Sequence, residues 1–323
     1  MLAAMVIAGA SLIYGCAGAK QDPIVSRVAL DPNHPKRTEF GQLVWRGGLV
    51  IRHSDDRFGG LSGLHMSADG NRMTAVTDRG SWVTARLHYR GGDLAGLSDL
   101  AILPILGENG RAVGWRSSDA ESIAPDGNGG FFIAFERHHR FSRYADRDRG
   151  ALRALPTKTF APKSKWRQPT NGGYEGLTRL CDGRLLAIAE TARPGSDVMR
   201  AWIGKDGKWR RLSYTMTGKF RPTGAATLPD CSVVVLERRF NFIDGLAIRL
   251  VRLPAASIQP GAKLRGREIA RLGPTLTIDN MEGIAARRGA HGETLLYLVS
   301  DDNFTVLQRT LLHMFELQDK TGP

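Results

Sequence analysis

The chain predicts an all-β fold, a β-propeller of five or six four-stranded blades, and three observations carry that expectation. After about residue 40 there is no sustained helical periodicity. Instead MTAVT, FFIAF, LLAIA, SVVVL and TLLYLV are short strand-like runs set apart by Gly, Asp, Asn and Pro. Glycine is abundant, 38 of 323 residues, which suits a chain with many turns. The third observation is a repeated unit.

That unit is clearest in GGYEGLTRLCDGRLLAIAE (residues 172–190): an acid, an apolar strand, a polar turn, a second apolar strand, and a closing acid. Related stretches are GLSGLHMSADGNRMTAVTD, DAESIAPDGNGGFFIAFE, PTGAATLPDCSVVVLE and MEGIAARRGAHGETLLYLVSDD. The repeats start at Ser62, Glu121, Glu175, Thr223 and Glu282, 48 to 59 residues apart. Four strands with their loops fill such a span, so each repeat has the length of a propeller blade. Strand-like runs also occur in residues 24–53 (VSRVAL, QLVWRGGLVIR). They either close the ring by pairing with TLLHMFEL or contribute to a sixth blade.

The ends of the chain read differently. Residues 1–19 carry no charged side chain and read as a signal peptide or lipoprotein leader, with Cys16 as the lipidation candidate. An Ala-x-Ala cleavage site at 17–19 and an uncleaved anchor are the alternatives; about 20 apolar residues span a bilayer. All three place the folded body outside the cytoplasm, in the periplasm or outer envelope. Residues 20–39 are expected to be a linker, 40–318 a single domain and 319–323 a tail. In an exported chain the other two cysteines, Cys181 and Cys231, would pair, with two separate buried thiols as the alternative. Each lies in a hairpin turn, in consecutive repeats, so the two turns are expected side by side on the face opposite the acids.

The formal net charge is +13. The excess favours an anionic partner, a phosphorylated or carboxylated small molecule. No dense Lys/Arg run and no basic stripe with interleaved aromatics is present, which argues against nucleic acid. A monomer is expected. A Gly-x-Ser-x-Gly elbow, a Cys-x-x-Cys pair, a His-Glu-x-x-His helix and a Walker loop are all missing from the sequence, which argues against a serine-triad hydrolase, a zinc protease and a nucleotide hydrolase.

In a hairpin, the first residue of strand one and the last of strand two lie at the same end. Five such hairpins around an axis are expected to gather Asp78, Glu121, Glu136, Glu175, Glu190, Glu237, Glu282, Asp301 and Asp302 at one mouth of the channel. So many carboxylates require compensation in a partly buried site. Neighbouring arginines are one source (Asp78-Arg79, Glu136-Arg137, Glu237-Arg238-Arg239). A hard divalent cation, calcium foremost, is the other. The metal-ligand candidates are Asp78, Glu121, Glu175, Glu190, Glu282, Asp301 and Asp302. Glu136, Glu175, Glu237 and His139 are the catalytic candidates, His139 as a general acid. Strand-end glutamates also serve simply as acceptors for backbone amides of the next blade.

These stretches carry a family resemblance. RGGLVIRHSDDRFGGLSGLHMSADG, DAESIAPDGNGGFFIAFERHHR, NGGYEGLTRLCDGRLLAIAE and DNMEGIAARRGAHGETLLYLVSDDNFTVLQRTLLHMFEL resemble the phytase-like family described as having esterase-like activity, which occurs in the Gram-negative envelope. The matching positions are Glu136, Arg137, His139 and Arg140, then Glu237, Arg238 and Arg239, then Asp301, Asp302 and Asn303. The resemblance implies a propeller and hydrolysis of phosphate or carboxylate esters, with Arg137, Arg140, Arg238, Arg239 and Asn303 facing an anionic substrate. Ser62 and Thr223 stand where other repeats start with Glu, so the ring of carboxylates is incomplete. A propeller that only binds an anionic ligand or a protein partner at the same mouth is the alternative.

Overall fold

Each repeat folds as an antiparallel meander, because its apolar runs are too short for helices and polar turns, Asp-Gly in the first hairpins of the first three repeats, reverse the chain between them. The computed structural model describes residues 22–114, 117–162, 169, 172–192 and 195–318. The strands form five sheets, the blades of a propeller. The first blade consists of Leu61–Met66, Arg72–Thr77, Ser81–Arg90 and Asp93–Pro104; the second of Ala120–Pro125, Phe131–Phe135, Arg140–Tyr144 and Pro156–Phe160. The third runs Gly176–Arg179, Leu185–Ala192, Val198–Lys205 and Lys208–Thr215, with Lys263–Leu264 added in parallel. The fourth runs Arg221–Thr227, Val233–Asn241, Gly245–Leu253 and Arg267–Leu272.

The fifth blade resolves the choice between five and six. Asn280–Arg288, Thr294–Asp301 and Thr310–Leu317 are followed in the sheet by Leu43–Arg52 from the beginning of the chain. Residues 24–53 therefore close the ring rather than build a sixth blade. Ile24–Arg27 adds an outer strand, pairing Ile24 with Arg52 and Arg27 with Leu49. The segment expected to be a linker is thus partly sheet, since the outer edge of Leu43–Arg52 offers free backbone groups for pairing. Leu30, from the same segment, is fully buried. The leader, with Cys16, lies outside the described residues.

The core is divided among five apolar clusters, one at each contact between neighbouring blades. The five first strands form the innermost ring and touch one another in chain order, the last returning to the first. Their close approach has a cause in the sequence. A Cβ at Gly224 would stand 2.9 Å from the Glu282 carbonyl oxygen, and one at Gly63 would stand 2.8 Å from the Ile123 nitrogen.

The same strands carry a repeated irregularity. Register shifts fall between Leu61 and Gly63, Ala120 and Ser122, Pro222 and Gly224, and Met281 and Gly283. The extra residue in each bulge is Ser62, Glu121, Thr223 or Glu282. In the third blade the inner strand begins at Gly176, directly after Glu175. Four of the five repeat starts read from the sequence are therefore bulge positions, and a bulge re-aims its side chain.

Cys181 and Cys231 are joined, with Cα atoms 5.6 Å apart, tying the turn of the third blade's hairpin to that of the fourth. The bond closes a loop with a sequence separation of 50. Loop entropy alone makes this worth about 4 kcal/mol. Cys231→Ser should lower the midpoint of chemical unfolding accordingly, and an unchanged midpoint would mean that the bond restrains little.

Candidate functional site

The bulges at Glu121 and Glu282, with Glu175 directly before its inner strand, bring acids together. Carboxylate oxygens of Glu121, Glu175 and Glu282 lie within 4.8 Å of one another, as do those of Asp119, Glu121 and Glu136. Glu121 belongs to both triads. Ser62 and Thr223 complete the circle without charge. The Ser62 hydroxyl donates to the Gly60 carbonyl at 3.2 Å, and that of Thr223 donates to the Met281 carbonyl at 2.8 Å.

Burial and mutual repulsion set the protonation of these groups. Burial pushes Glu121 well above the usual carboxylate range, and Glu175, Glu282 and Asp119 push it further. Burial does the same to Glu175, with Glu282, Glu190 and Glu136 adding to it. Glu282 is raised to about 8, chiefly by burial, although Arg238 opposes the shift. Asp301 rises to about 6 for the same first reason. Asp78 rises to about 7 through burial and the charges of Asp301 and Asp119, and its Oδ1 is buried without a hydrogen-bond partner among the described residues.

Some compensation is built in. Arg137 Nε lies 2.6 Å from Asp119 Oδ2. Arg238 Nη2 lies 3.6 Å from Glu282 Oε1, while its Nη1 donates to the Asn280 side-chain oxygen. Asn280 Nδ2 donates to Glu282 at 2.8 Å. Glu190 has Arg221 at 3.9 Å. Glu136 accepts the backbone N–H groups of Gly172 and Gly173, from the loop entering the third blade. It fills the amide-acceptor role as well as a place in a triad.

Other candidates sit elsewhere. Glu237 is not at the mouth. It is fully buried, accepts the Tyr214 hydroxyl at 2.7 Å and pairs with Arg249, so it cross-links the third and fourth blades. Its register places it opposite Pro222 and Arg249, where its side chain turns into the blade interface. His139 bonds the Pro169 carbonyl at 2.9 Å and packs against Tyr174; burial depresses its pKa, which disfavours a proton-donating role near neutrality. Arg140 donates to the Ser117 and His138 carbonyls and lies 3.8 Å above the Phe135 ring. Asp302 accepts the Gly60 and Phe304 amides and the Thr310 hydroxyl, and it belongs to neither triad. Asn303 is exposed and bonds Gln308. Arg239 pairs with Asp244 at 3.3 Å and lies over Phe220.

Asp119 and Asn280 were not singled out in the sequence, although a signal was there. Each stands two residues before a repeat start, Glu121 and Glu282 respectively. Beside the acids opens a cleft of about 1120 Å³, lined by Glu190, Lys219, Arg221, Arg238, Phe242 and Ile243 among others. Its walls combine cations with nearly fully exposed apolar side chains: Phe242 is 98% and Ile243 96% exposed.

The family model for phytase-like proteins, described as esterase-like activity of phytase, matches residues 56–304. The chain belongs to the phytase-like family. The match spans the whole inner ring and both carboxylate triads. No curated protein matches the phytase-like chain in a sequence comparison. Among solved structures it is similar to a PQQ-bound aldose sugar dehydrogenase from Streptomyces coelicolor, at 13% identity and a TM-score of 0.43, covering 83% of this chain and 97% of that one. A gluconolactonase from Xanthomonas campestris is similar at 12% identity and a TM-score of 0.43, covering 84% and 89%. A Lactobacillus plantarum protein follows at 14% and 0.38, covering 92% and 82%.

Proposed function

We propose that this phytase-like propeller hydrolyses an anionic phosphate or carboxylate ester at the acidic mouth of its channel, outside the cytoplasm, with a hard divalent cation as cofactor. The convergence of Glu121, Glu175 and Glu282 carries this reading. Three oxygens within 4.8 Å of one another form an all-oxygen donor set, and hard cations such as calcium favour such sets. The raised pKa values support the same view, since full ionisation of this cluster demands a compensating charge. When bound, the cation would polarise the ester oxygen and acidify a water.

The chain's own groups supply the rest. Arg238, with Arg221 and Lys219 in the adjoining cleft, binds and orients the anionic group; the planar guanidinium offers paired donors. Phe242 and Ile243 receive the apolar part of the ester and exclude water. Asp78, poised at about 7, holds or releases a proton at neutral pH. The disulfide between Cys181 and Cys231 favours an oxidising compartment.

A second reading rests on the Arg137–Asp119 and Arg238–Glu282 pairs, which compensate part of the ring without metal. In that case the mouth binds an anionic ligand and turns nothing over. p-Nitrophenyl phosphate and p-nitrophenyl acetate, assayed with and without chelator, separate the two. Stoichiometric metal and chelator-sensitive turnover are expected, with Arg238→Lys lowering turnover about tenfold while the unfolding midpoint holds. Metal-free protein that binds phosphate but hydrolyses neither ester would favour the second reading.

A further inference from the structure

A smaller cavity of about 210 Å³ lies between the second and third blades, on the side away from the acids. Arg179, in its wall, ends the inner strand that begins just after Glu175. At roughly 3.3 Å per residue, some 13 Å of strand separates the two. Four cations reach this cavity: Arg143, Lys158, Arg179 and Lys205. Asp126 answers Arg143 at 2.7 Å and Asp206 answers Lys158 at 3.2 Å. Arg179 and Lys205 form no ion pair among the described residues. Yet they meet over Gly183, where a Cβ would stand 3.3 Å from Arg179 Nη2 and 3.6 Å from Lys205 Nζ. Asp182, on the same turn, pairs with Arg184 at 2.6 Å and feels the charge of Lys205 only at longer range.

The remaining wall is aromatic. Phe132, Phe160 and Trp209 line it, the last two with ring centroids 5.7 Å apart. The Trp209 indole N–H is buried without an acceptor among the described residues. A water would serve the indole, but it would not offset two facing cations. An oxyanion answers the cations, and a flat apolar body suits the aromatic wall. The turn carrying Gly183 is pinned two residues earlier by the Cys181–Cys231 bond, so the site is formed before a ligand arrives.

We propose that this cavity is a binding site for a small aryl anion, its oxygens between Arg179 and Lys205 and its ring along Phe160 and Trp209. The proposal does not depend on hydrolysis at the mouth. Calorimetric titration of the chelator-treated protein with phenyl phosphate, benzoate and inorganic phosphate tests it. In Arg238→Gln protein, whose mouth has lost its anion-binding arginine, one aryl anion per chain is expected, bound about tenfold more tightly than inorganic phosphate. Arg179→Gln and Lys205→Gln should each weaken it by about tenfold, the scale of one charge-assisted hydrogen bond. Lys205 is exposed, so its variant will fold. Arg238→Gln, at the mouth, should leave this binding unchanged. The site is overturned if no aryl anion binds at millimolar concentration, if neither cavity variant weakens binding, or if Arg238→Gln abolishes it. Inorganic phosphate binding as tightly as the aryl anions would overturn the role of the aromatic wall.

Discussion

Glu175→Gln is expected to remove cation binding and, with it, turnover. Its carboxylate is one of the three that converge from separate blades. Gln keeps the shape and one oxygen but removes the charge. Loss of an outer-shell partner already weakens metal sites by roughly 10–100-fold, so loss of a direct ligand should exceed that. The metal-free variant should respond in the opposite sense. Folding without metal forces Glu175 either to take up a proton or to stand as a buried charge facing Glu282, Glu190 and Glu136; Gln escapes that cost, so the variant's metal-free melting temperature should rise while its calcium affinity falls. Asp146→Asn, at an exposed acid outside the ring, provides the control. Equal calcium affinity in the two variants, measured by calorimetry, would exclude Glu175 from the ligand set.

Metal-free protein should lose thermal stability as pH rises from 6.5 to about 8. The sign follows from proton counting. Asp78 moves from 3.8 to about 7 and Glu282 from 4.5 to about 8 on folding. Between those limits the folded chain holds protons that the unfolded chain has released, so stability declines as pH increases. His65 and His313 act oppositely: burial lowers both from 6.5 to about 4. Their contribution is present above 6.5 and is lost as pH falls toward 4, which masks the carboxylates in that lower window. Above 6.5 only the carboxylates remain. Calcium at a hundred times its dissociation constant adds about 2.7 kcal/mol, or a shift of about 5 °C in a chain of this size, and should flatten the decline. A melting temperature that is level from pH 6.5 to 8 in chelator would refute the assignment of these protonation states.

Much of this was legible before the fold was known, because repetition exposes it. The spacing of Ser62, Glu121, Glu175, Thr223 and Glu282 marked the blades, and their place at the start of each inner strand marked the mouth. That all of these but Glu175 are bulges was not legible: a bulge is one extra residue against a partner strand, and the partner's register is invisible in a single chain. Glu237 shows the complementary failure. It closes its hairpin as Glu136 and Glu190 close theirs, yet its side chain faces Tyr214 and Arg249 in a neighbouring interface. The pattern of a strand tells which residues share a face, but not what another blade brings to that face. Arg140 and His139 were placed by their motif beside Glu136. Beyond the left-handed Arg137, at φ 57°, their side chains turn to loop carbonyls instead.

The pairing of Thr310–Leu317 with Leu43–Arg52 has a consequence for how the molecule can fail. Open repeat arrays add and lose units one at a time, because each unit leans only on its neighbours. Here every blade has two neighbours, and the fifth is assembled from both ends of the chain. Unzipping that seam would uncover two apolar interfaces at once, together with the edges of two strands. Partial unfolding from a terminus, the usual way in for a protease, therefore begins at the most costly place. The ring has no terminal blade to fray, and its resistance to degradation should track the opening of that one seam.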